Sequence, residues 1–487
     1  MTAVCSAPGA VFHLSEDARA AIEAVVPLLE PTPADGTDWW PIAKVWARQG
    51  RVPAAAAAVA RPVDTAQVAA LLAVCARERV PVTPAGARSG VCGGAVPVAG
   101  GVVLDLTGLD AIVGLDEESS LVTAQAGVMG GVLEAWLSQR GYSTGHFPQS
   151  IDISTVGGWV ACRSAGQWST RYGKVEDMVR GLEVVLADGS VVRIAAQPAR
   201  STGPDVLRLF CGSEGTLGVI TEVTLTVHPV PPAQRLASYR FDDFTTGLRA
   251  LRAVARRGAR PPVLRLYDER ETNRQYADHV SGGCILLTLT EGETGLVEWE
   301  ATVLDEECGS ALGTAAVEAW MHHRNDVSAL DTALDRGFLV DTCEVAAPWA
   351  HVEAVYDAGI AALRNVAGTV SASGHCSHVY GDGACLYFTL AGHVGDDAVA
   401  KDRWYADAWG TLLDAVGGAG ATVSHHHGIG LLRAEALARE LGDAAVVVQA
   451  VKDALDPVGI LNPGKMGLAD RLGVGAPAWP AGSTEET

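Results

Sequence analysis

Three stretches of this sequence combine small residues with backbone that a ligand could approach closely. The first, Pro84-Ala85-Gly86-Ala87-Arg88-Ser89-Gly90, follows a short apolar run and continues through Val91 and Cys92 to Gly93-Gly94. With few bulky side chains in the way, successive N–H groups can turn toward one centre and cradle the oxygens of a diphosphate. The spacing is neither the GxGxxG that opens a Rossmann helix nor the lysine-bearing Walker loop. Taken alone, it is also what a plain glycine-rich turn looks like. The second stretch holds Gly145-His146-Phe147-Pro148-Gln149-Ser150, Ser154-Thr155-Val156-Gly157-Gly158 and Ala161-Cys162-Arg163-Ser164. A segment so poor in charge makes a bad surface loop and a good lining for a long, polar, mostly neutral ligand. The third is Ser213-Glu214-Gly215-Thr216-Leu217-Gly218-Val219-Ile220. Three such stretches within one domain favour a shared, extended ligand over three unrelated turns.

Proton chemistry is offered further along the chain. Ser424-His425-His426-His427-Gly428 ends an apolar run, and neighbouring side chains diverge, so at most two of the three imidazoles can face one pocket. The alternative is a core or surface histidine run. Tyr387, in Gly383-Ala384-Cys385-Leu386-Tyr387-Phe388, is either an acid/base or a packed strand tyrosine.

The elements that must position these groups follow from periodicity. Residues 61–86 read as a strand, an Asp/Thr-capped helix and a short strand ending at Pro84. VVLDLTGL and SSLVTAQAGV are β-rich, GVLEAWLSQRGYS is helical and stops at Gly141, and LEVVLADGSVVRI is a hairpin turning at Asp188-Gly189. GTLGVITEVTLTV reads as a strand pair, and the proline cluster near residue 230 marks a domain boundary. Beyond it SYRF, VLRLY and ILLTLT alternate with helical stretches as a second α+β sheet domain, and the chain becomes helical again from Leu431. The expected division is an N-terminal arm (1–45), a ligand-binding domain (46–230), a substrate or cap domain (231–430) and a C-terminal helical segment and tail (431–487) that packs back near the ligand.

Composition narrows the partners. With 487 residues the chain exceeds one compact core, and a net charge of −21 argues against nucleic acid and anionic membrane surfaces. No apolar run is long enough for a membrane helix and no signal-like start is visible, so a cytoplasmic location and a small-molecule substrate are expected. The ten cysteines form no CxxC pair and read as buried apolar side chains.

The order of these motifs resembles the FAD-linked oxidase superfamily that includes vanillyl-alcohol oxidase and p-cresol methylhydroxylase, over roughly residues 45–465. Within it the chain looks most like the alkylglycerone-phosphate synthase branch, through GHFPQSIDISTVGGWVACRSAGQWSTRYGKVEDMV, GACLYF and SHHHGIG. The resemblance implies an α+β fold: a two-subdomain FAD-binding domain of the p-cresol methylhydroxylase (PCMH) type with an α+β cap domain built on an antiparallel sheet. It implies that residues 84–90 hold the FAD diphosphate, that 148–154 and 161–164 line the isoalloxazine and ribityl, and that 214–220 contact the adenine side. It also places Tyr387 and the His425–His427 triplet beside the flavin as acid/base groups. Some members attach flavin through a His or Cys; the diphosphate loop here has no His, so FAD is expected to be non-covalent, with His146 and Cys92 as the residues that would contradict this.

Two departures bear on the reaction. Metal-dependent 2-hydroxy-acid dehydrogenases of the superfamily carry an HxGDGNxH-like strand; here Tyr387 stands where a second ligand would fall and Ser424 precedes the triplet, so no metal is expected. In the synthase branch a YLRD-like arginine serves the substrate, and here the segment is Ser328-Ala329-Leu330-Asp331. An isobutyl group at Leu330 replaces a bidentate anion clamp by an apolar wall, which points to a less anionic substrate, an alcohol, amine or hydroxy acid of secondary metabolism. Arg265 and Arg324 remain candidate anion contacts, against the more ordinary role of structural ion-pair arginines. The expected reaction is hydride loss to flavin N5 while Tyr387 or a histidine takes a proton. The alternatives are a redox-neutral transferase that forms an ether bond through a flavin adduct, and a flavin-binding protein without catalysis. Relatives are often dimers, which makes a homodimer the expected assembly.

Overall fold

The computed structural model describes residues 12–51 and 54–473. Among the described residues the first part of the chain builds two larger sheets and a two-stranded one that pairs Tyr142–Ser143 with His228–Pro229. Val82–Ala85 lies parallel to Val102–Asp105, which lies parallel to Ala58–Ala60. Between them the helix Thr65–Glu78 starts where Asp64 accepts from the amide of Gln67, and it ends at Arg79 in the left-handed conformation. Its Val68, Leu71, Leu72 and Cys75 are buried. Val82–Ala85 is the edge strand, the place where Pro84, which cannot donate to a ladder, is tolerated.

The second sheet has five strands in the order Ile112–Asp116, Leu121–Gln125, Val219–Thr226, Val179–Val185, Val191–Ile194. The hairpin turns at Asp188-Gly189, with Gly189 at φ +87°. The segment expected as a strand pair is one eight-residue strand, Val219–Thr226: it has no turn in its middle and pairs on both sides with strands brought from elsewhere in the chain.

From Ala233 the chain forms a six-stranded antiparallel sheet in the order Ala233–Phe241, Cys284–Gly292, Val263–Tyr267, Thr369–Val379, Gly383–Gly392, Leu339–Pro348. Alternation divides its two faces. Leu264, Leu266, Cys343, Val345, Phe388 and Leu390 are buried in one core cluster with Val355 and Leu363 of the helix Val352–Asn365 and Trp409 and Leu412 of Ala398–Gly418. Arg265, Tyr267, Thr342, Glu344, His375, Tyr387 and Thr389, which alternate with those residues along their strands, stand on the other face.

The chain's two ends tie the parts together. The helix Pro41–Arg48 spans the expected boundary at residue 45, and Trp40 and Trp46 are buried in the same cluster as the six-stranded sheet. Beyond the helix Ala445–Leu455, the C-terminal segment returns to the first part: Leu461 bridges Val82, and the Asn462 side chain donates to the carbonyls of Gly94 and Glu214.

Candidate active site

A cavity of about 1030 Å³ lies between the polar face of the six-stranded sheet and the three glycine-rich stretches. Of the residues expected to hold the cofactor, all of 84–90 line it, as do 148–150, 153–154, 161–162, 164, 214–215 and 218–220, while Ile151, Asp152, Arg163, Thr216 and Leu217 do not. Arg163 caps the helix Val156–Cys162 in the left-handed conformation, and its guanidinium pairs with Glu176 at 3.2 Å. Thr216 turns its hydroxyl back to the carbonyl of Ser213 at 2.7 Å.

The walls suit a dinucleotide. Among the described residues none of the five amides from Gly86 to Gly90 donates to a protein acceptor, so this loop presents an unfilled row of N–H groups to the cavity. A Cβ on Gly86 would lie 2.3 Å from the Thr155 hydroxyl, which explains glycine at the meeting of the first two stretches. Glu214, the one carboxylate these stretches bring to the wall, is turned away from an anion: its oxygens accept from the amides of Ile429 and Gly430 at 2.5 and 2.8 Å. It thereby joins the third stretch to the loop that follows the histidines. His146 and Cys92 are buried and do not line the cavity. His146 instead packs against Trp159 and bonds Ser164 at 2.8 Å.

Opposite these loops, strand register sets the candidate side chains in a row. Tyr387 is the cross-strand partner of Glu344 on one side and of His375 on the other, and His375 is in turn opposite Tyr267. Tyr387 donates to Thr342 at 2.9 Å, and its hydroxyl lies 3.5 Å from Nε2 of His427. Burial pushes the Tyr387 phenol above its ordinary value, so it is neutral at pH 7.

The histidine loop is held by Glu344. This fully buried carboxylate accepts at Oε1 from the amides of His425, His426 and His427 at 3.2, 2.8 and 2.6 Å, and from the Ser424 hydroxyl at 2.9 Å. Its other oxygen takes Arg433 and lies 3.3 Å from Nδ1 of His427 without hydrogen-bond alignment. Burial alone would raise the Glu344 carboxyl, but Arg433, His427 and the loop amides hold it well below the usual range. His426 and His427 line the cavity; His425 points away, its Nε2 bonded to Tyr380 at 2.8 Å and its Nδ1 to His426 at 2.9 Å. Burial pulls all three imidazoles below their ordinary values, His425 to about 3.

Arg265, Arg324 and Leu330 all line the cavity. The ion-pair role is not what the structure shows: among the described residues neither arginine forms a salt bridge. Arg324 donates to Gln167 at 2.8 Å and lies over Trp168, and Arg265 lies over Trp320; the two tryptophans stack on each other. Leu330 adds an apolar patch between these cations and the helix Ser328–Asp335 that carries it, while Asp331 faces outward to Lys44 and Arg48. Glu271, His375, Glu344 and Arg433 were not among the residues singled out as the site. A lone acid inside the apolar run TCEVAA was the available signal for Glu344.

His378, Cys385, His425 and His426 bring one donor atom each within 4.8 Å of one another. His425 already uses both ring nitrogens, and His378 stacks on it at 5.0 Å with an interplanar angle of 25°, so their in-plane lone pairs do not converge. The geometry is that of a hydrogen-bonded imidazole chain, continued by Ser169 on Nδ1 of His378 at 2.6 Å, and not that of a tetrahedral shell.

Residues 56–195 match the profile of an FAD binding domain and residues 230–466 that of the C-terminal domain of FAD linked oxidases. An uncharacterized FAD-linked oxidoreductase of Escherichia coli K12, YgcU, is 33% identical over 427 residues, covering 84% of this chain and 88% of that protein. A D-lactate dehydrogenase of Anaerostipes hadrus is 30% identical over 433 residues, covering 83% and 88%. A solved alkyldihydroxyacetonephosphate synthase superposes with a TM-score of 0.79 at 24% identity, over 95% of this chain and 88% of that one. The chain belongs to the FAD-linked oxidase family, and FAD is its cofactor. No helix among the described residues is long and apolar enough to cross a membrane.

Proposed function

We propose that this FAD-dependent enzyme oxidises a small 2-hydroxy acid. The observation that carries this reading is the pair of cavity-lining guanidiniums, Arg265 and Arg324, which have no carboxylate partner. A half-buried cation without a counter-ion carries a desolvation cost, and a substrate anion relieves that cost, so of the three substrate classes allowed by Leu330 the hydroxy acid fits best and the amine least. The name of the D-lactate dehydrogenase relative supports the same class.

FAD, when bound, supplies the two-electron acceptor. The residues of this chain supply binding and proton handling. Arg265 and Arg324 hold the carboxylate against the tryptophan pair and turn the hydroxyl toward Tyr387. Tyr387 is neutral, so it takes the hydroxyl proton only as it gives up its own, which turns from Thr342 at 2.9 Å to the basic Nε2 of His427 at 3.5 Å. His427 is neutral beforehand because burial lowers its pKa, and Glu344 at 3.3 Å stabilises it once protonated. His426 borders the same space and His425 braces it from behind. FAD is held non-covalently by residues 84–90 and the two following stretches. Acid precipitation is expected to release all of the yellow cofactor into the supernatant.

Anaerobic mixing with panels of hydroxy acids, simple alcohols, amines and phosphorylated ketones tests the reading. Flavin bleaching by hydroxy acids is expected. Bleaching by alcohols or amines alone, or incorporation of labelled hexadecanol into an ether product without an electron acceptor, would overturn it.

A further inference from the structure

We propose that His375, oriented by Glu271, is a positioning residue that presents the Arg265 guanidinium to the cavity without neutralising it, and so determines selectivity for a carboxylate-bearing substrate. The proposal rests on the reading that this cavity binds a small organic acid.

The hydrogen-bond chain leaves one assignment of protons. Nη2 of Arg265 lies 2.9 Å from Nε2 of His375, and Nδ1 of His375 lies 2.9 Å from Oε2 of Glu271. A guanidinium can only donate, so Nε2 must accept, Nδ1 must carry the hydrogen, and it donates to Glu271. His375 is therefore a neutral imidazole. The negative charge of Glu271 is taken up elsewhere, by Thr389 at 2.7 Å, Ser373 at 3.2 Å and Arg274 at 3.3 Å on its other oxygen.

The second partner of Arg265 is a hydroxyl and not a carboxylate, that of Tyr267 at 3.0 Å. Both groups that fix the guanidinium leave its charge intact. The contrast lies within the same molecule: Arg433 is bonded directly to the Glu344 carboxylate, and its charge is cancelled. The His375 ring is clamped, stacked on Tyr387 at 4.8 Å and tilted against Tyr267 at 5.0 Å, so the direction of its Nε2 lone pair is set by three strands at once.

The test compares wild-type holoenzyme with His375→Phe, His375→Gln and Glu271→Gln, each checked for full FAD content. Steady-state kinetics with the best hydroxy acid gives KM and kcat, and the flavin difference spectrum on titration with oxalate gives the affinity for a redox-inert carboxylate. Phe keeps the ring stack but offers no acceptor; Gln loses the stack but places an amide oxygen near the position of Nε2. Loss of a charge-assisted hydrogen bond predicts that Phe raises both KM and the oxalate Kd about tenfold or more, with kcat within about threefold, while Gln stays nearer to wild type. Glu271→Gln, which lets the ring rotate, should fall between them.

The opposite ranking, with Phe like wild type and Gln impaired, would mean that His375 only packs, and overturns the proposal. Equal oxalate affinity in all four proteins, or no oxalate binding by wild type, overturns it too. If wild type binds oxalate but oxidises no hydroxy acid, the proposed reaction falls, and the oxalate ranking alone then decides the role of His375.

Discussion

Two carboxylate–histidine pairs flank Tyr387, Glu271 with His375 on one side and Glu344 with His427 on the other, and they are built for different work. In the first the bond is closed: 2.9 Å, aligned, with the far nitrogen of His375 occupied by Arg265. In the second it is open: 3.3 Å, unaligned, with Nε2 of His427 facing Tyr387. A histidine with both nitrogens engaged is a strut; one whose ring nitrogen faces a phenol in a cavity can exchange a proton with it. The carboxylates differ in the same sense. Burial would raise the Glu271 carboxyl, but the hydrogen bonds from His375 and Thr389 and the Arg274 guanidinium hold it below its ordinary value, so it stays ionised, yet it acts on the cavity only through a neutral ring. Glu344 directs its charge at Arg433 and at three consecutive amides, and so shapes the loop that carries His427.

The largest expected effect breaks the second pair. Glu344→Ala leaves Arg433 buried without a counter-ion and three amides without an acceptor, and should cost about 3–5 kcal/mol in urea denaturation. Glu271→Ala, whose Arg274 partner is half exposed, should cost clearly less. Equal losses would erase the distinction between a loop anchor and an orienting group.

Tyr387→Phe should lower kcat about 10²–10⁴-fold with hydroxy acids while FAD content stays full, because the proposed reaction passes its proton through the phenol. His427→Asn should give a loss of the same kind in kcat, whereas His375→Phe should act on KM. A kcat defect at His375 together with a KM defect at His427 would reverse the assignment.

Stability should respond to acid through both pairs. Burial lowers the pKa of His146, His375, His378, His425, His426 and His427, so the unfolded chain binds protons that the folded one excludes. Their neutral forms cost nothing above an unfolded pKa of about 6.5, and stability should fall as pH drops below it, by somewhat under about 1 kcal/mol per histidine at pH 6. Urea midpoints at pH 7.5 and 6.0 measure this; an unchanged midpoint would mean that these imidazoles are already protonated in the native state.

The smallest effect sharpens substrate choice. Leu330→Arg places a third cation beside Arg265 and Arg324, and should shift preference toward phosphorylated substrates by about tenfold in kcat/KM, worth roughly 1.4 kcal/mol. No shift would mean that the Leu330 wall does not face the bound substrate.

Much of the cofactor half was legible from one strand of text. Glycines and small residues at 84–90, 145–166 and 212–220 are local devices, and what they do depends on their own backbone; the whole of 84–90 and much of the other two stretches line the cavity. The divergence of the histidine triplet was legible for the same reason, since consecutive side chains must point apart. The turn at Asp188-Gly189 and the cap at Asp64 are equally local. The continuous strand Val219–Thr226 was misread as two because its register is set by partners about forty and a hundred residues away, not by its own residues.

By itself, then, the chain determined the cofactor class, the alternation that gives the six-stranded sheet a polar face, and the residue types available for proton transfer. Which acid serves which histidine was decided only in three dimensions. Glu271 and His375 are 104 positions apart, Glu344 and His427 83, and each pair exists because antiparallel register and one loop carry them to the same spot. The charge state of each group follows from that meeting, since burial and the nearest partner, rather than residue type, decide whether a carboxyl stays ionised and an imidazole stays neutral.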